Sequence, residues 1–482
     1  MTIDTLPSIA LIEIFEFYLN ASRASWPTLV HVCRKWRDIV FTSPRRLNLE
    51  LYCTFKRPTR AALDIWPPLP ISISNYGIEK KGGDVDNIVA ALEHRDQVCR
   101  INLWGVTNSE LELYMAVMRE PFSALTSLEL RRVTFEAMAG AMALMFPNSF
   151  LGGSAPRLQS LTLSGIPLPF SGLRNLLLSA KDLVNLHLVS ICQFAYVSPE
   201  TLVTVISALV KLEQLELRFQ SRRSCPVRES RRPPPNILTP LPALTRLTFQ
   251  GVSSYLEDLL AQIYAPRLQA LSITFFHQLF FHTPHLRFVS RALRLKELVE
   301  ARVVFTHSSA RVTLRSPSCP NSREHEIRVE ISCKHPDLQL PSLVQVCTSP
   351  FPQTFISAAK HLYILESRYY EEEEWDIDSK DWVDNIQNSQ WLQLLRLFIA
   401  VKDLYISEKF VPLIAPALRE LVGGRITEAL PFMECLFLEG LRGYGPIRDA
   451  IGPFVSARQL STHPIVASYW DEDDDDYWEC GD

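Results

Sequence analysis

The chain has 482 residues, 47% hydrophobic and 21% charged, enough to bury a large core and too apolar for a disordered or fibrous chain. Gly is scarce at 17 residues and Pro plentiful at 33, which argues against a Gly-loop nucleotide enzyme and for frequent stops between short elements. The net charge of −4 hides an asymmetry: Asp471 to Asp482 carry eight acids and no base, leaving a body at +4, too mild for a nucleic-acid partner. Ten cysteines without a close-set framework read as reduced thiols of an intracellular chain, in cytoplasm or nucleus. Met1-Thr2-Ile3-Asp4 opens without a basic run or long apolar stretch, so no secretory signal is expected. The longest apolar stretch, Leu202 to Val210, is far short of the roughly 18 residues of a membrane span, so no membrane partner is expected.

From Leu6 to Phe41, 21 of 36 residues are hydrophobic. Leu6-Pro7 opens a helix carrying Ile9, Leu11, Ile12, Ile14, Phe15, Tyr18 and Leu19, an apolar surface too broad for one stripe. Asn20 to Ser25 reads as a loop, with Ser25 as N-cap and Pro27 just inside a second helix. Leu29, Val32, Cys33 and Trp36 recur at helical spacing, and the run continues through Ile39-Val40-Phe41 to a stop at Ser43-Pro44. Three short helices in about 40 residues are near the lower size limit for independent stability. Either a partner covers their apolar faces, or they cap the rest of this chain.

Leu6-Pro7, Leu11, Ile14-Phe15, Val32-Cys33-Arg34-Lys35-Trp36-Arg37 and Pro44 resemble the F-box, over residues 4 to 50. The resemblance implies a three-helix module that binds a Skp-type adaptor and through it a cullin. It implies Leu6, Pro7, Leu11, Ile12, Phe15, Leu29, Val32, Cys33 and Trp36 as the adaptor-facing residues. Physically these would be apolar ridges laid in a helical groove of the partner.

Trp66-Pro67-Pro68-Leu69-Pro70 reads as an extended linker. An apolar-x-apolar unit then recurs: Ile101-Asn102-Leu103, Leu128-Glu129-Leu130, Leu161-Thr162-Leu163, Leu186-His187-Leu188, Leu215-Glu216-Leu217, Leu247-Thr248-Phe249 and Leu271-Ser272-Ile273. Weaker units start at Val303, Val329, Leu362, Leu404 and Leu436. The spacing is a loose period near 25 to 33 residues, the mark of a solenoid. Ala155-Pro156-Arg157-Leu158-Gln159-Ser160-Leu161 and Ala265-Pro266-Arg267-Leu268-Gln269-Ala270-Leu271 are near copies. They resemble leucine-rich repeats, with Leu161 and Leu163 inward, Thr162 outward and Leu158 plugging the turn. Ser198 to Leu212 and Ser254 to Ile263 read as helices between strands. The competing reading is an ordinary α/β domain, with Ser221 to Pro240 as a linker. In the solenoid that insert is a loop exposing Arg222, Arg223, Arg228, Arg231 and Arg232.

The whole chain resembles basidiomycete fungal F-box proteins with leucine-rich-like repeats. The likeness rests on Val30-His31-Val32-Cys33-Arg34-Lys35-Trp36, Asp64-Ile65-Trp66-Pro67-Pro68-Leu69-Pro70, Ile88-Val89-Ala90-Ala91-Leu92-Glu93-His94 and Ala457-Arg458-Gln459-Leu460-Ser461. The fold expected is an α/β solenoid: a small N-terminal three-helix F-box followed by an irregular leucine-rich-repeat-like array. The boundaries expected are 1–50 for the helical module, 51–94 for a linker and first irregular repeat, 95–465 for the repeats and 466–482 for an acidic tail.

No catalytic residue, cofactor or metal is expected. Cys319, His325, Cys333 and His335 lack a Cys-x-x-Cys anchor for zinc, and His277, His282 and His285 sit among aromatics that read as packing. The Glu371 to Glu374 run with Asp376 and Asp378 reads as a solvated loop, and Asp471 to Asp476 as self-repelling and extended. Two functions follow: a non-enzymatic substrate adaptor of an SCF-type ubiquitin ligase, recruiting an unknown protein, or a repeat-type interaction scaffold whose F-box-like helices only cap the array.

Overall fold

In the computed structural model the described residues are 6–21, 26–44, 46–54, 60, 63, 66–75, 85–133, 150–167, 169–225, 238–278, 281, 298–316, 326–366, 388–423, 425–439 and 446–470. They form two compact units, residues 1–197 with 204–212, and residues 198–203 with 213–482.

The first unit starts with α1 (Ser8–Ala21), α2 (Trp26–Val30) and α3 (Arg34–Thr42). Pro7 precedes α1, and its carbonyl accepts the Leu11 N–H at 3.1 Å. The helical periodicity from Leu29 to Trp36 is not one helix. Cys33 is extended (φ −158°, ψ 172°) and caps α3, while Arg37 Nε bonds the Val30 carbonyl that α2 leaves unpaired. The expected N-cap Ser25 lies outside the described residues.

Parallel strands follow: β1 (Leu51–Cys53), β2 (Ile71–Ser74), β3 (Val98–Val106), β4 (Ser127–Arg132), β5 (Ser160–Ser164) and β6 (Asn185–Ile191), paired in chain order. β1 and β2 carry the sheet into the stretch read as a linker. The register aligns Ile101, Leu128, Leu161 and Leu186 in one row and Leu103, Leu130, Leu163 and Leu188 in the next. All eight are buried, each side chain worth about 1.5–3 kcal/mol of transfer from water. Period-two alternation turns Glu129, Thr162 and His187 to the opposite face. Helices Val85–Leu92, Asn108–Val117 and Phe170–Ser179 follow β2, β3 and β5. A capping box of Thr107 with Glu110 starts the second of them.

In the second unit the strand order is β7 (Gln214–Phe219), β9 (Arg246–Gly251), β11 (Ala270–Phe276), β14 (Glu326–Ser332), β13 (Ser309–Arg315), β12 (Glu300–Phe305), β15 (His361–Glu366), β16 (Asp403–Ile406), β17 (Cys435–Glu439) and β18 (Val466–Trp470). A separate pair joins β8 (Thr239–Pro240) to β10 (Ile263–Tyr264). The simple repeat order expected after Ile273 is corrected here. β13 pairs antiparallel with both β14 and β12, so the strands at Val329 and Val303 sit in reversed order. Residues 466–470, grouped with the acidic tail, form β18 and pair with β17. The near-copy segments fold alike: Leu158 N–H bonds Ala155 O at 3.1 Å, Leu268 N–H bonds Ala265 O at 3.3 Å, and both leucines are buried. The expected helices shorten to Pro199–Ile206 and Ser253–Leu260.

Candidate protein-interaction surfaces

The residues expected to face an adaptor divide by burial. Leu11 and Phe15 are fully buried, and Leu29 is buried; Leu6, Ile12, Cys33 and Trp36 are half-buried; Pro7 and Val32 are exposed. Leu11 and Phe15 therefore belong to the core under α1. Phe15 packs on Trp36 with ring centroids 4.8 Å apart. Lys35 Nζ bonds the Leu6 carbonyl at 3.0 Å, and Arg46 pairs with Glu16 at 3.1 Å, so α1 is tied just before its start and again past its middle.

The module is also tied to the strands. Trp26 is buried, and its Nε1 donates to Glu50 O at 2.7 Å. Trp66, in the expected linker, packs against Trp26, His31 and Phe41 with centroids 5.1–5.9 Å apart. These aromatics close the interface between α2, α3 and the start of the sheet.

The outer side of α1 exposes large apolar side chains beside Glu13 and Asn20. Phe17 is 82% exposed, Ile9 66%, Ile14 45% and Tyr18 42%, and Val32, after α2, is 55% exposed. Ile14, Phe17 and Tyr18 stand at i, i+3 and i+4, so they share one side of the helix beside the buried Leu11–Phe15 stripe. Ile14, Phe17 and Tyr18 were absent from the set the resemblance implied. Helical angles alone separate the two stripes, but only packing tells which one faces water.

The less buried rows of the strands carry the second set of candidates. In the first unit the Arg131 guanidinium lies 4.5 Å from the Trp104 ring centroid and pairs with Glu129 at 2.6 Å. Asn75 fixes this strand by bonding both N and O of Trp104 at 2.7 Å. In the second unit Tyr363, Tyr405 and Phe437 occupy one register row. They stack nearly parallel, 4.3 and 4.4 Å apart, and Arg302 lies over Tyr363 at 5.1 Å. Trp470 meets Tyr405 and Tyr363 edge-on at 5.5 and 6.2 Å. Beside this ladder, Glu326, Arg315 and Glu300 alternate in sign across three strands.

Four described cysteines are held as thiols. Cys435 stands beside Asp403, which in turn bonds His361 at 2.8 Å. Burial first, then the Asp403 carboxylate, pushes the Cys435 thiol up, so it stays protonated rather than becoming a thiolate. Burial likewise raises Cys99 to about 11 and Cys225 and Cys347 to about 12. Among the described residues no group of three or more His, Cys, Asp or Glu could hold a metal. Cys333 Sγ lies 3.5 Å from the His335 carbonyl, while Cys319, His325, His282 and His285 lie outside the described residues. So do Glu371 to Glu374, Asp376 and Asp378, Arg228, Arg231 and Arg232, and Asp471 to Asp482. Arg222 and Arg223 are exposed. No described helix is long and apolar enough to cross a membrane.

No family model and no curated protein matches this chain. Among solved structures it is similar to the leucine-rich repeat-containing protein LegL7 from Legionella pneumophila. The two are 12% identical over 70% of this chain and 93% of that one, with a TM-score of 0.27. A likeness that distant carries no functional argument; the repeat character rests on the strand register and the paired near-copy turns described above.

Proposed function

We propose that this chain is a non-enzymatic protein-interaction adaptor in which the outer side of α1 docks on a partner helical groove and the sheet faces recruit a second protein. The observation that carries this reading is Phe17, a large aromatic left 82% exposed beside Ile14 and Tyr18 on a module whose core is otherwise filled. Exposed apolar clusters of this kind are interaction sites more often than accidents. On the F-box resemblance the groove is that of a Skp-type adaptor, which links the chain to a cullin and makes it the substrate-recognition subunit of an SCF-type ligase. The mechanism needs no chemistry in this chain: holding a target beside a charged enzyme raises its effective concentration.

Co-purification with a Skp-type adaptor tests this. Ile14→Asp with Phe17→Asp is expected to abolish capture while leaving the thermal transition in place. Retained capture by that variant removes the α1 docking account. Leu11→Asp and Phe15→Asp cannot serve, because both side chains are buried and the module itself would fail.

The second reading, a repeat-type interaction scaffold capped by α1–α3, is favoured by the full burial of Leu11 and Phe15, which no adaptor can reach, and by the Trp26–Trp66–Phe41 cluster that fastens the helices to the sheet. It predicts that no Skp-type adaptor is captured by the intact chain, and that deleting residues 1–50 unfolds the first unit.

A further inference from the structure

We propose that the outer edge of β18 accepts an extended basic segment of another protein as an added strand. In the second unit the strand order ends at β18, and among the described residues nothing pairs with its far side. Val466 N–H donates to Glu434 O at 2.9 Å, toward β17. Main-chain direction alternates along a strand, so Ala467 and Tyr469 turn their N–H and C=O groups to the open edge. Val466 is 64% exposed, and Ala467 and Ser468 are exposed as well, so neither face of the strand is covered near its start. The far end is held in place, because Trp470 sits edge-on against Tyr405 and Tyr363. A fixed strand whose outward groups meet no strand among the described residues is a template for strand addition.

Charge chooses the occupant. Asp471 follows Trp470 directly, and the twelve residues from there hold eight acids and no base. Each of two copies meeting at this edge would carry such a run and a net charge of −4, and this like charge opposes self-pairing. An incoming segment rich in lysine or arginine gains from the same field. This inference is independent of the α1 docking reading, because it concerns the other unit and survives the loss of Phe17.

The probe is a blocked octapeptide of alternating lysine and valine, tested by fluorescence anisotropy against the full chain at 50 mM salt. An alternating glutamate–valine peptide and a lysine–valine peptide N-methylated on alternate residues serve as controls. The lysine peptide is expected to bind at least about tenfold more tightly than either control, since main-chain bonds and charge both contribute. Ala467→Pro removes one outward N–H without touching the bonds from Val466 and Ser468 to β17, and is expected to weaken binding about tenfold. Equal binding of the N-methylated peptide overturns strand addition and leaves only charge attraction. Tighter binding by a chain ending at Trp470 makes residues 471–482 the occupant and overturns the proposal. So does a dimer that Ala467→Pro dissociates. No measurable binding of the lysine peptide overturns it outright.

Discussion

Phe15 and Trp36 meet with ring centroids 4.8 Å apart and planes tilted by 59°, so the residue pair that ties α1 to α3 consumes the side chains most expected to reach outward. Two residues along, Phe17 points to water. The same helix thus gives opposite predictions at neighbouring aromatic positions. Phe15→Ala is expected to cost about 3–5 kcal/mol of stability, from lost burial and the cavity it leaves. Phe17→Ala is expected to stay within about 0.5 kcal/mol of the parent, as surface substitutions do. Chemical denaturation followed by far-UV circular dichroism compares them, and equal costs would contradict the orientation of α1.

Tyr405 sits between Tyr363 and Phe437, stacked on both, with Trp470 against its edge. Each such aromatic pair adds about 0.5–1.5 kcal/mol beyond area burial. Tyr405→Ala is expected to cost about 2–3 kcal/mol and to release Trp470, since it removes two stacking contacts and one edge contact together. Near-UV circular dichroism reads the second effect: an unchanged tryptophan band would separate Trp470 from the ladder.

The buried thiols give a pH prediction. An ordinary thiol titrates near 9.0, while Cys347 and Cys225 are pushed up to about 12 by burial. Between those values the unfolded chain has lost protons that the folded chain keeps. The stability these thiols contribute is therefore full below pH 9 and falls as pH rises from about 9 toward 12. Cys347→Ala is expected to flatten that fall in urea melts between pH 8 and 10.5. At pH 8 the folded chain should leave Cys347 and Cys225 unlabelled by a thiol reagent that reacts fully after denaturation.

The strand positions were readable because a parallel sheet writes period two into its residues. Leu161-Thr162-Leu163 and its counterparts put two apolar side chains inward in every unit, and register needs nothing more than that alternation. The near-copy turns at Leu158 and Leu268 were legible for the same local reason: one residue plugs one turn, three positions from its own hydrogen-bond partner. The break between α2 and α3 was not legible, because Leu29, Val32, Cys33 and Trp36 satisfy helical spacing on both sides of an extended Cys33. The strand Ser309–Arg315 lies outside the repeat series, although Val312 and Leu314 alternate with Arg311, Thr313 and Arg315.

Local periodicity in this chain fixes element type and the inward side of each strand, since both depend on neighbours within a few residues. Tertiary packing alone decides the rest. It chooses which apolar stripe of α1 is covered, reverses β12 through β14 between β11 and β15, and sets Trp66 against Trp26. It also buries the charged Arg458, whose Nη2 donates to the Ala429 and Leu430 carbonyls at 3.1 and 2.7 Å. Each of these is a choice between surfaces of similar hydrophobicity or between partners far apart in the chain. Burial is non-directional, so only the three-dimensional arrangement of the partners can break the tie.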